Sequence, residues 1–365
     1  MKQLTFILFT LSLFCVSCFQ PKPKHEHSGT LLDLNNSSNE SVTCSDIIDV
    51  CDWIMLDSSS NCLLKSIERL DFYNGNYYVL DRFSYCKIFV FDSRGKLLKT
   101  IGTKGGGPGE YSEIQDFTID KTNGILYILA KPSEVYAYDY NGNFIKSKHL
   151  DESFLWKITA TNGGILLSSI HKTYTEGENA YLFYEFDKDL NLKQKQISVL
   201  PKQMNSMCFL TIPFQLSGDR IYYCDEFCNK IYSYSEGKIT EEFDIDLSDA
   251  IDYNLRSDFM TANQHLAESD FIMNFAVSGN KMLLIYVKKG PLYAAIIDKS
   301  DGHIISNKSM NDVFSSVICS LGNGEFLTPV SIEEYQNAWK NTKVKQPDFQ
   351  VADDDNFLIL KWKLR

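Results

Sequence analysis

The chain has 365 residues, 44% of them hydrophobic and 23% charged, a globular composition that excludes a disordered chain or a coiled coil. With 36 basic against 47 acidic side chains the net charge is −11, so there is no basic field to neutralise a phosphate backbone, and no nucleic acid is expected as a partner. The 20 Tyr, 24 Phe and 4 Trp, set in little helical periodicity, favour packed antiparallel sheets in one large all-β domain.

In chain order, the first element is an address. Met1 and Lys2 precede a nearly unbroken apolar run from Leu4 to Val16. As a helix this run reaches only ~20 Å, short of the ~30 Å hydrocarbon core, so residues 1–17 read as a secretory signal peptide and not as a membrane span. Cys15-Val16-Ser17-Cys18 resembles a bacterial lipobox, with Cys15 standing where leucine is usual. Cys18 is therefore the expected lipidation site, and acyl chains there would hold the protein at a membrane. Residues 18–41, polar and rich in Ser and Asn, are expected to be a flexible tether. No acid follows Cys18 until Glu26, which points to a lipid-anchored protein of the outer membrane facing the periplasm.

From residue 42 onward the chain repeats. The segments "VFDSRGKLLK", "AYDYNGNFIK", "YEFDKDLNLK", "IYSYSEGKIT" and "AIIDKSDGHII" align on Gly95, Gly142, Leu190, Gly237 and Gly302, at spacings of 47, 48, 47 and 65 residues. Each joins two aromatic or β-branched strands through a short turn, and a second turn lies upstream of each, beginning at Asn74-Gly75. Two hairpins per period make four strands, the size of a β-propeller blade. The first blade is expected near Ser66–Tyr73, Asn76–Asp81, Cys86–Asp92 and Lys96–Ile101. The longer last interval, "LSDAIDYNLRSDFMTANQHLAESD", has helical spacing and reads as an insertion between blades four and five. A final unit supplies only three strands, at Phe314–Cys319, Glu325–Val330 and Asn356–Leu364. The strand Ile47–Leu56 is expected to complete it and close a six-bladed ring over residues 42–365.

After the first blade comes Ile101-Gly102-Thr103-Lys104-Gly105-Gly106-Gly107-Pro108-Gly109-Glu110-Tyr111. With "FVFDSRGKLLK" before it and "DDDNFLILKWKL" at the end, this resembles the six-bladed β-propeller lipoproteins common in the Bacteroidota, distant relatives of NHL-type propellers. That resemblance implies a secreted propeller, most of whose relatives have no established activity. The glycines let the main chain approach neighbours closely and expose amides to an anion or a sugar hydroxyl. Alternatively, the loop merely threads from one blade to the next, with Tyr111 as its plug.

The hairpin turns are expected to alternate between the two rims. Ligand binding is assigned to the rim formed by the loops between second and third strands and between blades. Its candidate residues are Arg82, Tyr85, Lys104, Glu110, Tyr111, His171 and Asp225, a polar set of mixed sign suited to a glycan, a peptide or an envelope protein. Cys224 and Cys228 flank the turn Asp225–Asn229 and form a candidate disulfide. No zinc, Walker, dinucleotide or nucleophile-elbow motif occurs, so no metal, no cofactor and no catalytic residue is assigned. The reading is a non-catalytic ligand binder, with a hydrolase or lyase acting on carbohydrate as the alternative.

Overall fold

The computed structural model describes residues 29–59, 62–152, 154–169, 180–199, 214–225, 229–250, 269–312 and 317–365. Six small sheets form the six blades of a β-propeller. Blade 1 has the strands Arg69–Tyr73, Asn76–Asp81, Lys87–Phe91 and Leu97–Ile101, each within three residues of its expected bounds. Blades 2 to 5 span Ile114–His149, Leu155–Val199, Gln215–Asp246 and Phe271–Met310. Blade 6 pairs Cys319–Ser320, Glu325–Val330 and Leu358–Leu364 with β3, Ile48–Met55, from the other end of the chain. The borrowed strand thus closes the ring.

Runs such as Tyr77-Tyr78-Val79-Leu80 are apolar throughout because both faces of every blade are covered. Successive side chains point to opposite faces. Tyr78 and Leu80 pack with Phe117 and Ile128 of blade 2, while Tyr77 and Val79 pack with Ile359 of blade 6. The hydrophobic core is therefore six layers, one between each pair of consecutive blades. In all six blades the pairing of the third and outer strands shifts register once, and such bulges increase strand twist.

A repeated carboxylate shapes the turns between third and outer strands. Asp92, Asp139, Asp187 and Asp298 each accept backbone N–H bonds at 2.8–2.9 Å from residues two to four positions on. These bonds hold the chain through a left-handed residue: Gly95, Gly142, Gly302 and, at φ +61°, Leu190.

Two expectations change. The tether does not extend to residue 41. β1, Thr30–Asp33, and β2, Ser38–Val42, add in parallel to the outer strands of blades 4 and 5. Leu32 and Leu34 are fully buried there, so residues 30–42 have apolar anchors that a free tether lacks. Nor do the hairpin turns alternate between rims. Successive strands reverse direction, so the turn after the first strand and the turn after the third fall on the same rim, and the longer loops fall on the other. The greater part of the expected insertion, residues 251–268, lies outside the described residues, as do the signal peptide, Cys18 and the start of the tether.

Candidate functional site

On the rim of longer loops, the structure brings Arg82 into a cluster. Its guanidinium Nη2 donates to Gln115 Oε1 at 2.7 Å and to Glu113 Oε1 at 3.1 Å, and it lies 5.6 Å from the Trp156 ring. Lys131 joins Glu113 at 2.8 Å. Despite the cost of partial burial, these two cations hold the Glu113 carboxyl below its ordinary range. The buried Arg82 thus ties the inner ends of blades 1, 2 and 3 together. Tyr85 stands apart, its hydroxyl donating to the Leu63 carbonyl.

The glycine loop is occupied by its own side chains. Tyr111 is buried between blades 1 and 2, its hydroxyl donating to the Cys86 carbonyl at 3.0 Å, and burial pushes the phenol above its ordinary pKa. Gly102 is left-handed at φ +85°, and a Cβ there would lie 2.1 Å from the Tyr111 hydroxyl. The glycine is thus required by the loop's own plug. Glu110 accepts the Gly107 N–H at 2.8 Å. Lys104 is exposed at the loop's start. Asp225 is fully buried at the end of its strand, opposite Lys230 in the pairing. Cys224 faces Ile231 in the same pairing, while His171 and Cys228 lie outside the described residues. Tyr111 and Glu110 therefore have intramolecular partners where ligand contacts were expected.

A cavity of about 550 Å³ lies near the ring axis and is lined by hairpin turns of the other rim. Inner strands of blades 1, 2, 3, 4 and 6 line it. Arg69 and Asp71, two residues apart and so on one face of their strand, both reach it, and Lys121 meets Asp71 at 2.9 Å. Burial lowers the Lys121 pKa, but Asp71 outweighs it and the ammonium is held above its ordinary value. Across the cavity Glu185 accepts from Lys193 at 2.5 Å and from Gln194 at 2.6 Å. Burial opposes the charged form, yet those partners hold the carboxyl below its usual range. Tyr234, also lining the cavity, is pushed up to about 12 by burial and by Glu185. The Cys319 thiol, buried at the same wall, is likewise raised to about 12 by burial and Asp71.

Sequence reasoning missed this site because it followed turns and loops. The available signal was the pair of charges in "ERLDFY". Charged side chains two apart in an inner strand lie on one face of their blade, beside the axis and at the margin of the apolar layers.

The fold and the axial cavity define a class: a six-bladed propeller with a polar, charge-paired channel. The family model DUF4934, a domain of unknown function, matches residues 30–363, and the chain belongs to that family. Its first residue falls on β1, which makes the N-terminal strands part of the domain. Among solved structures, a protein of Bacteroides fragilis described as exported is similar, with TM-score 0.71 and 16% identity over 92% of this chain and 100% of that one. A member of the DUF4221 family from Bacteroides vulgatus follows, with TM-score 0.60 and 10% identity over 87% of this chain and 98% of that one. The WD40 repeats of RRP9 reach TM-score 0.50 at 10% identity, covering 87% of this chain and 100% of that one. At these identities the likeness is one of fold. No curated protein matches the sequence.

Proposed function

We propose that this protein is a lipid-anchored propeller of the bacterial cell envelope that binds a small polar ligand, a glycan or a peptide, in its axial pocket without transforming it. The observation that carries this reading is the pocket itself, which collects charged and hydroxyl side chains from five blades on a rigid ring. The lipobox-like Cys15–Cys18 and the exported neighbour from Bacteroides fragilis support the address. The NHL-like ancestry suggested by the glycine loop belongs to the same proposal. A glycosidase requires a carboxyl raised in pKa to act as general acid, and the Lys193 and Gln194 contacts move Glu185 the other way. Glu185 is therefore not held as the general acid of a hydrolase.

The test uses protein lacking residues 1–18 against glycan and peptide panels. Thr159→Trp, which places a bulky ring in the cavity wall, should abolish the binding of genuine ligands at unchanged melting temperature, and the ligands should be recovered intact. Hits that bind Thr159→Trp as well as the native protein would refute the axial site. For the anchor, Cys18→Ala should move the protein from membranes to the soluble fraction, and persistence in the membrane pellet after a high-salt wash would refute lipidation.

A further inference from the structure

One guanidinium nitrogen beside the axial pocket has no hydrogen-bond partner among the described residues. It is Nε of Arg69, which lines the cavity with its side chain only 9% exposed. The Asp116 carboxylate stands 3.8 Å from that Nε, beyond hydrogen-bond length. The other oxygen of that carboxylate, Asp116 Oδ2, accepts the Ile158 N–H of blade 3 at 3.0 Å and ties it to that strand. A buried guanidinium nitrogen without an acceptor is costly, and the planar fork of arginine matches a carboxylate or phosphate through two parallel N–H bonds.

The local charge limits which anion fits. Lys121 is matched by Asp71 and Arg69 is balanced at longer range by Asp116, so the cluster is neutral, while Asp120, Asp219 and Glu236 add negative charge at the turns around it. A monoanion adds one negative charge to this neutral cluster and a phosphate dianion adds two, so the monoanion is the better match. The rest of the wall presents hydroxyls at Thr159, Thr161 and Ser235, with the Glu185–Lys193 pair and Tyr234 as further acceptors and donors. Such a surface suits a polyhydroxylated body, the ring stacking or lying along the tyrosine while its hydroxyls bridge the charged pair.

We propose that the axial pocket receives a sugar acid, with Arg69 at its inner end taking the carboxylate through the guanidinium fork and the blade 3 and blade 4 side of the pocket taking the ring hydroxyls. This rests on the axial-pocket reading above and names its ligand class. The carboxylate enters from the rim of hairpin turns, because the cavity opens between the turns at Asn162-Gly163 and Gly218-Asp219.

The experiment compares D-galacturonate and D-glucuronate with D-galactose, D-glucose and inorganic phosphate, by calorimetry and ligand-observed NMR on protein lacking residues 1–18. A charge-assisted bond of this kind predicts that a uronate binds roughly ten- to a hundredfold more tightly than its neutral hexose. Arg69→Lys keeps the positive charge beside Asp116 and should fold, yet should lose most of that preference because the fork is gone. Arg69→Gln should lose all of it. The native preference is itself a test should Arg69→Gln not fold. Equal binding of uronate and hexose, tighter binding of phosphate than of either uronate, or an unchanged preference in Arg69→Lys overturns the assignment. If glycans bind and Thr159→Trp abolishes their binding, but the uronate preference is missing, only the sugar-acid assignment fails. If no ligand is displaced by Thr159→Trp, the axial site fails with it.

Discussion

Blades 1 to 3 and blades 4 to 6 face the same problem and meet it differently. In the first half of the ring the outer strands end each sheet, and long polar side chains on them reach to the next blade. Lys99 donates to the Tyr140 carbonyl at 2.7 Å, Lys146 to the Lys188 carbonyl at 2.8 Å, and Gln194 to the Gly237 carbonyl at 2.6 Å. In each case the acceptor is in the turn between third and outer strands of the following blade. In the second half the N-terminal segment supplies the outermost strand of each sheet, β1 and β2 as fifth strands on blades 4 and 5 and β3 as the fourth strand of blade 6. There the turn of blade 5 at Gly302 faces Thr30 and Leu32 of β1. Past β3 the chain reaches blade 1, where Asp57 N–H donates to the Gly95 carbonyl at 2.8 Å. The difference shows that an exposed edge can be protected by long polar side chains or by another strand, and that the chain uses strands where the ring must also be closed.

The largest expected effect comes from removing the closing strand. Deleting residues 42–57 leaves blade 6 with three strands, removes Trp53 and exposes Trp339 and Trp362 of the same layer, so cooperative unfolding should be lost or the protein should aggregate, as read by calorimetry and size-exclusion chromatography. A truncated chain that melts at the native temperature would refute strand closure. Deleting residues 29–41 alone converts blades 4 and 5 to the four-stranded form of blades 1 to 3. That protein should remain a folded ring, destabilised by roughly 4 kcal/mol from the lost burial of Leu32 and Leu34 at about 2 kcal/mol each. If it is as damaged as the longer deletion, the two halves do not differ as described.

A pair of glycine variants sharpens the comparison at a single contact. Gly95 and Gly75 are both left-handed turn residues, at φ +82° and +78°. A Cβ on Gly75 meets nothing within 4 Å, whereas on Gly95 it would lie 1.8 Å from the Met55 carbonyl oxygen at the end of β3. Gly75→Ala should therefore cost only the backbone strain, about 1 kcal/mol. Gly95→Ala adds a main-chain clash at the ring seam and should cost roughly 3 kcal/mol in chemical denaturation. Equal losses would show that the seam is not a tight contact.

The smallest effect concerns the turn aspartates, which serve the uncovered blades 2 and 3 as well as 1 and 5. Asp92 and Asp187 are held below the ordinary carboxyl range chiefly by backbone N–H bonds from Lys96 and Asn191, and Asp139 and Asp298 by side-chain bonds from Asn143 and Ser300. A depressed folded pKa gives stability that is complete above the unfolded value near 3.8 and is lost as pH falls through the lower folded values. Melting temperature should therefore fall below about pH 4, and Asp139→Ala with Asp187→Ala should show a shallower fall over the same window. An acid limb of unchanged slope would remove these carboxylates from the account.

Strand period, turn chemistry and a fixed repeat were legible from residues alone, because they depend on neighbours within a few positions. Gly95, Gly142 and Gly237 mark turns whose left-handed residues are local requirements. The orphan strand at residues 48–55 was legible too, because a three-stranded last unit lacks one strand. Tyr111 was ambiguous: its aromatic ring suits a ligand or a plug equally, and only the position of blade 1 against blade 2 makes it the plug.

What the sequence by itself determined is thus the six-bladed plan and its closure, since apolar alternation and turn residues specify a strand and its ends without reference to distant groups. Tertiary structure alone decided that residues 30–42 belong to the blades, because Leu32 and Leu34 find their apolar partners in blades 4 and 5, far away along the chain. It alone decided which charges form the site. Arg69, Lys121 and Glu185 come from three blades, and only the packing of those blades around the ring brings them to one cavity. Coulombic pairing and burial act across space, so the site's chemistry is set by which strands the ring brings face to face and not by their spacing along the chain.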